Sequence, residues 1–142
     1  MAYLFDTDAI AELLRPDPAP AYVDWLRAVP REEQFTSAVC LSEIYKSAYR
    51  SPYRDAHLTR IESRLLRAVI VLPLDAGVAR EIGEFRASLE GRRLLMPEAD
   101  MQVAATAIHH QLQLVTGNVR RFRGVPRLEI HPILWEARRK RR

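Results

Sequence analysis

The hydrophobic positions of the chain fall into short apolar runs that alternate with longer segments of helical spacing. The short runs predict strands near residues 2–6, 34–37, 69–73, 113–116 and 128–131. The longer segments predict helices near residues 8–15, 19–29, 38–50, 54–68, 75–90, 97–111 and 132–139. Strands that alternate with helices in this way are typical of an α/β protein, and we expect a mainly parallel central sheet of four to five strands.

Length and composition are typical of one globular domain. The chain has 142 residues, 48% of them hydrophobic, and we predict a single domain over residues 1–142. No apolar run approaches the ~20 residues that span a bilayer, and no signal-type stretch precedes Asp6, so we expect a cytoplasmic protein without a membrane segment. The sole cysteine, Cys40, excludes an internal disulfide and a cysteine-cluster zinc site.

The first acid of interest, Asp6, closes the first predicted strand. It therefore lies at the carboxyl end of the sheet, where ligands bind in open parallel sheets. Taken alone, Asp6 is explained more simply as a cap of the following helix, whose first N–H groups lack partners.

Asp100 is harder to explain as a helix cap. Pro97 suits the first helical position, and the helix then aligns Asp100 with the buried row Ala104, Ala107 and Ile108. A carboxylate turned toward a core needs a paired charge or a metal ion, because its removal from water costs several kcal/mol. Carboxylates at such junctions suggest a metal site.

Glu43 and Asn118 follow two further strand ends but carry weaker signals. Glu43 lies roughly opposite the apolar stripe of its helix, so solvent exposure explains it when it is taken alone. Asn118 ends the polar segment 116–118, which alone is typical of a Gly-Asn turn. With Asp6 and Asp100, these residues repeat one pattern of a strand end followed by an acid or amide. A parallel sheet assembles a site from distant sequence in this way.

In this order and at this chain length, the motifs resemble those of the PIN domain family. The resemblance covers nearly all of the chain, although no single motif is specific. The matching residues are Leu4-Phe5-Asp6-Thr7-Asp8, Ser42-Glu43, Asp100 with Ala104-Ala105-Thr106-Ala107, and Thr116-Gly117-Asn118 with Phe122. Within the family, the chain resembles the VapC toxins of VapBC toxin-antitoxin modules, which are magnesium- or manganese-dependent endoribonucleases.

The resemblance implies a PIN-like three-layer α/β/α fold and a metal-dependent ribonuclease site. Asp6, Glu43 and Asp100 would form the acidic catalytic core and bind Mg²⁺ or Mn²⁺, and no other cofactor is implied. Asn118 would fill a fourth catalytic position, which relatives occupy with Asp or Asn. Because magnesium uses only one or two direct carboxylates, we expect Asp6 and Asp100 to be the inner ligands.

The resemblance also implies partners. It implies an RNA substrate, a homodimer, and a VapB-type antitoxin whose tail lies along an apolar groove and obstructs the acidic pocket. Four aromatic residues are candidates for these surfaces, although core packing explains each of them singly: Tyr22, Trp25, Tyr45 and Tyr49.

Two positions depart from the family pattern. Many relatives carry an acid immediately before the aromatic of the fourth motif, whereas this chain has Arg121 before Phe122. The position two after Asp6, often Asn in relatives, is Asp8. Losing a carboxylate lowers the charge that holds a second cation, and we expect Arg121 either to contact a phosphate or to point into water.

Basic charge is concentrated at the end of the chain. The net charge is +4, yet residues 138–142 contribute five of the 22 basic residues, and without them 17 basic residues face 18 acidic ones. This tail either attracts RNA or is a solvated, disordered end. A second basic group, formed by Arg120, Arg121 and Arg123, follows the fourth motif and is better placed beside the proposed site.

Two other functions share these features. A PIN-like module whose altered fourth motif has lost useful metal binding would bind RNA or a protein without catalysis. A housekeeping RNA-maturation nuclease would use the same chemistry as a toxin. Metal titration separates the first function from a nuclease, and growth arrest on induced expression separates the second from a toxin.

Overall fold

The structure is a computed structural model that describes residues 1–92 and 95–141 of the chain. Five strands form one sheet in the order β3-β2-β1-β4-β5, and every neighbouring pair is parallel. The strands are β1 (Tyr3–Phe5), β2 (Gln34–Ser37), β3 (Ile70–Leu72), β4 (Gln113–Val115) and β5 (Ile130–His131). This arrangement confirms the predicted α/β fold, in which helices flank a parallel sheet.

Most helices lie where the apolar spacing predicts them. They are α1 (Thr7–Leu14), α2 (Pro20–Arg27), α3 (Ala38–Arg50), α4 (Arg54–Arg60), α5 (Leu66–Ala68), α6 (Ala76–Gly91), α7 (Glu98–His109), α8 (Val119–Phe122) and α9 (Ile133–Arg139). A π-helical segment, Ile61–Leu65, joins α4 to α5, so the helix predicted over 54–68 is not regular. The prediction missed α8 because four residues are too few to show a period. Pro97 caps α7 instead of starting it.

The strand order places a topological switch point beside β1. The chain leaves β1 toward β2 and β3, then returns to β4 on the opposite side of β1. Phe5 of β1 is level with Val115 of β4, and the N–H of Asp6 donates to the Val115 carbonyl at 3.2 Å. The next residues, Asp6 and Thr116, therefore reach the same edge, where ligands bind in sheets of this type.

The core packs around the two central strands of the sheet. Leu4 and Phe5 of β1 and Leu114 and Val115 of β4 are fully buried. The apolar face of α6 is also buried, and it consists of Val78, Ile82, Phe85 and Leu89. The free cysteine, Cys40, is buried as well and packs within the core.

The four candidate aromatic residues have different environments. Tyr22 is fully buried, and its hydroxyl donates to the Ala9 carbonyl at 3.1 Å, so Tyr22 belongs to the core and not to a surface. Trp25 and Tyr45 are half-buried, whereas Tyr49 is exposed. In the described part of the chain, no helix combines the length and apolar character needed to cross a membrane.

Candidate active site

Asp6 is buried at the switch point and also caps α1. Its Oδ1 accepts a hydrogen bond from the Ala9 N–H at 2.8 Å, and only 8% of the residue is exposed. Burial raises the pKa of Asp6 from 3.8 to about 6, and the Thr116 hydroxyl and the Ala9 N–H moderate this rise. The charges of Asp8 and Asp100 raise it further. The helix cap and the candidate site residue are thus the same carboxylate, held where ionisation is costly.

Asp100 lies in the first turn of α7 and has an incompletely satisfied carboxylate. Its side chain is 14% exposed, and its Oδ2 atom is buried without a hydrogen-bond partner among the described residues. Burial raises the pKa of Asp100, the Arg121 guanidinium opposes the rise, and the Glu43 charge adds to it. Asp6, Asp100 and Glu43 are therefore close enough for their charges to interact.

Glu43 is held in place by a residue that sequence reasoning missed. The Thr7 hydroxyl donates to Glu43 Oε2 at 2.9 Å, which joins the first turn of α1 to the half-buried side chain on α3. This contact, rather than solvent exposure alone, accounts for the position of Glu43. The sequence signal for this contact was Thr7 itself, a polar residue directly after Asp6.

Asn118 is exposed at the end of the loop that follows β4. Its side-chain oxygen accepts from the Arg121 N–H at 3.2 Å and so caps α8. Its own N–H donates to the Thr116 hydroxyl oxygen at 3.0 Å. Asn118 therefore orders the loop between Thr116, which moderates the pKa of Asp6, and Arg121.

Arg121 forms an ion pair that the sequence did not suggest. Its Nη1 atom lies 3.3 Å from Oδ1 and 3.2 Å from Oδ2 of Asp100, and its side chain is 49% exposed. The expectation of a phosphate contact or a free orientation into water overlooked this ion pair. The Arg121 guanidinium thus lies against the Asp100 carboxylate, whose Oδ2 atom lacks a hydrogen bond.

Asp8, Glu12 and Arg138 form a charge cluster behind the loop. Both oxygens of Asp8 accept from the Arg138 guanidinium, at 2.8 and 2.9 Å, and the fully buried Glu12 accepts from Arg138 Nε at 2.9 Å. The hydrogen bonds to Asp8 raise the pKa of the Arg138 guanidinium, and the hydrogen bond to Glu12 adds to this rise. The sequence signal was the pair of acids four apart on α1, which needs a cationic partner.

This cluster changes the interpretation of the basic tail. Arg138 lies within α9, and Arg141 donates to Asp17 and to the Pro18 carbonyl. A disordered end is therefore the wrong description for these two residues. The cluster also explains Gly117, because a Cβ there would collide with the Asp8 carboxylate and the Arg138 guanidinium.

The site offers oxygen ligands of the kind that bind hard cations, but its described residues do not form a complete coordination shell. Over residues 1–92 and 95–141, no group of three or more His, Cys, Asp or Glu side chains is arranged to hold a metal ion. The candidate donors are all oxygens, and the buried Asp100 Oδ2 lacks a hydrogen bond. These residues fit a divalent cation such as Mg²⁺, which takes one or two direct carboxylates and retains several waters.

A protein named as a ribonuclease and one named as a toxin are similar to this chain along most of their length. The VapC ribonuclease Y4jK of Sinorhizobium fredii is 28% identical over 138 residues, which cover 94% of this chain and 97% of the relative. The toxin FitB of Neisseria gonorrhoeae is 29% identical over 124 residues, which cover 84% of this chain and 89% of the relative.

Solved structures with the same fold are toxin-antitoxin complexes. VapBC2 from Rickettsia felis, bound to a DNA fragment from its promoter, matches with a TM-score of 0.84 and 22% identity, covering 92% of this chain and 98% of that chain. FitAcB from Neisseria gonorrhoeae matches with a TM-score of 0.82 and 27% identity, covering 92% and 97%. The PIN domain model matches residues 3–128, and the chain therefore belongs to the PIN domain family.

Proposed function

We propose that this protein is the toxin of a type II toxin-antitoxin module and cleaves RNA as a divalent-metal-dependent endoribonuclease in the cytoplasm. The observation that carries the proposal is the set of interacting carboxylates at the switch point of a PIN fold, with Asp6 buried and its pKa raised to about 6. Relatives named as a ribonuclease and as a toxin support it.

In this proposal each site residue has a separate role. Asp6 and Asp100 hold Mg²⁺ or Mn²⁺ directly, because they are the buried oxygen donors, and Glu43 completes or orients the shell. When bound, the cation supplies an activated water and positive charge that stabilises the transition state at phosphorus. Thr7 keeps Glu43 in place through its 2.9 Å hydrogen bond. Asn118 orders the loop that leads to Arg121.

Arg121 has a role of its own in the metal-free protein. It neutralises part of the charge of Asp100, so the acids tolerate one another before a cation arrives. The guanidinium is half-exposed and suits a bidentate contact with phosphate oxygens, so we propose that it also binds the RNA backbone.

Cleavage of a defined RNA in Mg²⁺ or Mn²⁺ tests the nuclease proposal. The wild type should cleave, and Asp6→Asn and Asp100→Asn should not, because each loses a charged ligand. Asp24→Asn is the matched control, since Asp24 is exposed on α2. Cleavage that survives both site substitutions overturns the proposal.

Calorimetry with Mn²⁺ then distinguishes a nuclease from a non-catalytic module. Heat of binding that Asp6→Asn abolishes supports the nuclease, and no heat together with no cleavage supports the module. Growth arrest on induced expression distinguishes a toxin from a housekeeping nuclease.

An apolar groove supports a VapB-type antitoxin as partner. It has a volume of about 370 Å³ and lies among α1, α3 and the helical segment that includes Ile61. Ala11 and Ile44 line it, and Thr7 at its edge donates to Glu43, so a peptide in the groove would approach the acids. The solved neighbours that are toxin-antitoxin complexes support this assignment.

Co-purification with the antitoxin encoded beside this chain tests the groove. Ala11→Glu should weaken the complex, because it places a charge in the apolar groove, and the exposed Ala87 on α6 supplies the matched control Ala87→Glu. Equal recovery of antitoxin with both variants would exclude the groove as the antitoxin site.

We also propose that the protein forms a homodimer. Light scattering of the purified chain tests this directly, because it measures the molar mass in solution.

A further inference from the structure

We propose that a cleft beside Asn118 is a binding subsite for single-stranded RNA next to the cleavage position. In it, Trp135 stacks on a base while Arg120 and Arg139 contact the backbone phosphates. This inference rests on the proposed nuclease function and names where that function holds its substrate.

The cleft lies beside the loop that carries Asn118. It has a volume of about 750 Å³ and is lined on one side by the loop and start of α8, including Gly117, Asn118 and Arg120, and on the other by α9, including Trp135, Arg138 and Arg139. This volume is in the range that small-ligand sites occupy, so the cleft can accept a nucleotide. Asn118 links the cleft to the acidic site, because it lies on the loop between Thr116, which moderates the pKa of Asp6, and Arg121, which pairs with Asp100.

The lining of the cleft is rich in arginine. Among the described residues that line it, three are arginines and none is acidic. Arg138 is committed to Asp8 and Glu12, so the charge available to a ligand belongs to Arg120 and Arg139, both of which are exposed. Two exposed guanidiniums in a groove are suited to phosphate oxygens.

Trp135 adds an exposed aromatic ring to this charged cleft. The residue is 36% exposed, and the guanidinium of Arg139 lies 4.5 Å from the centre of its ring. Aromatic rings beside arginines are the usual means of holding single strands, because every base offers a flat face. A base that replaces Arg139 on the ring frees that guanidinium to bind a phosphate.

The floor of the cleft is held before any ligand arrives. Arg138 joins α9 to α1 through two hydrogen bonds to Asp8 and one to the buried Glu12. Gly117 lets the loop rest directly on that ion pair. The two walls that carry Asn118 and Trp135 are therefore fixed relative to each other, which lowers the entropy lost on binding.

The combination favours RNA over an acidic peptide. Both ligands would pair with Arg120 and Arg139, but every nucleotide also offers a flat base to Trp135, whereas acidic side chains do not. The apolar groove beside α1 is the better match for a peptide. The experiment therefore includes an acidic peptide as its second ligand.

Binding of a fluorescein-labelled single-stranded RNA in EDTA, where metal-dependent cleavage cannot occur, tests the subsite. Trp135→Ala should bind about 5- to 160-fold more weakly, which is the range for loss of one stacked base, and Trp135→Phe should retain most of the affinity. Arg120→Ala with Arg139→Ala should reduce the slope of log affinity against log salt by about 1.4. The exposed Tyr53 and Arg64 lie outside the cleft and supply the controls Tyr53→Ala and Arg64→Ala.

Intrinsic fluorescence adds a readout specific to stacking. RNA should quench tryptophan emission in the wild type and in Arg139→Ala, and this quenching should be lost in Trp135→Phe. Wild-type affinity and quenching in all cleft variants would overturn the subsite. If the same variants lose binding of the acidic peptide and retain binding of RNA, the cleft is a protein-binding site and the proposal also fails. The nuclease function is tested separately, by cleavage in Mg²⁺ with the wild type and with Asp6→Asn.

Discussion

The Arg121 guanidinium lies 3.2 Å from Oδ2 of Asp100, so the chain places its own cation on a proposed metal ligand. The same Oδ2 has no hydrogen bond within the described structure. The hydrogen bond from Arg121 goes to Oδ1, so the ion pair balances the charge of Asp100 and leaves the lone pairs of Oδ2 without a donor. A divalent ion would satisfy both, so the arginine and the metal compete for one carboxylate.

Arg121→Ala should therefore bind Mn²⁺ more tightly than the wild type. We expect a gain of about 1.4-fold to fivefold, since ion pairs with an exposed partner are worth ~0.2 to 1 kcal/mol. Isothermal calorimetry measures the change, and Arg123→Ala serves as the control because Arg123 is exposed two residues away. Unchanged or weaker Mn²⁺ binding in Arg121→Ala would show that the two cations do not compete.

Asp6→Asn should stabilise the metal-free protein at neutral pH. The pKa of Asp6 is about 6 in the folded protein and 3.8 as an ordinary side chain, so between these values the folded chain retains a proton that the unfolded chain has lost. The contribution of Asp6 to the free energy of unfolding therefore falls as the pH rises from 3.8 to about 6, and it stays low at higher pH. Asparagine avoids this penalty and still caps α1.

Urea unfolding across pH measures the effect of Asp6→Asn. The variant should exceed the wild type by on the order of 2 to 3 kcal/mol above pH ~7, and the difference should shrink toward pH ~4. Added Mn²⁺ should then stabilise the wild type and not the variant. A difference that is constant with pH would mean that Asp6 ionises normally in the folded state.

Thr7→Val should slow cleavage without unfolding the protein. It removes the hydroxyl that donates to Glu43 while keeping the size of the side chain. We expect a loss of about tenfold in rate, which corresponds to about 1.4 kcal/mol. Thr7→Ser retains the hydroxyl and should cleave normally, so equal rates for the two variants would remove Glu43 orientation from the mechanism.

Gly117→Ala should impair both folding and cleavage, since its Cβ would collide with Asp8 and Arg138 and displace Asn118. Thermal melting and initial rates measure the two effects. Gly124→Ala is the matched control, because a Cβ at Gly124 has open space around it. Equal melting temperatures for the two variants would mean that the loop does not rest on the ion pair.

Arg138→Met should cost about 3 to 5 kcal/mol in the free energy of unfolding, because Glu12 remains buried without its main cation. Urea unfolding measures this loss, and Lys140→Met, at an exposed position, should be neutral. Adding Glu12→Gln to Arg138→Met should restore most of the stability. No recovery in the double variant would mean that Arg138 acts through Asp8 alone.

The sheet could be predicted from sequence because its signals are local. Short apolar runs ending at Asp6 and Ser37 mark strand ends, and parallel topology brings such ends to one edge. The strand and helix boundaries differ by one or two residues from prediction wherever a cap or a short turn decides the end. Pro97 is the cap of α7, for example.

The ion pairs of the site could not be predicted in the same way. Arg121 and Asp100 are 21 residues apart, and Arg138 and Asp8 are 130 apart, so no spacing rule links them. Charge patterning places Arg138 in a solvated tail, because a run of like charges is usually exposed. The buried Glu12 reverses that conclusion, since a buried carboxylate requires a partner.

The link between Arg138 and the first helix has a consequence for the order of folding. Glu12 and Asp8 lie 126 and 130 residues before Arg138, so the acids on α1 gain this counter-charge only when distant parts of the chain have met. The loop that carries Asn118 rests on this long-range pair. The position of Asn118 therefore depends on tertiary folding and not on local sequence alone.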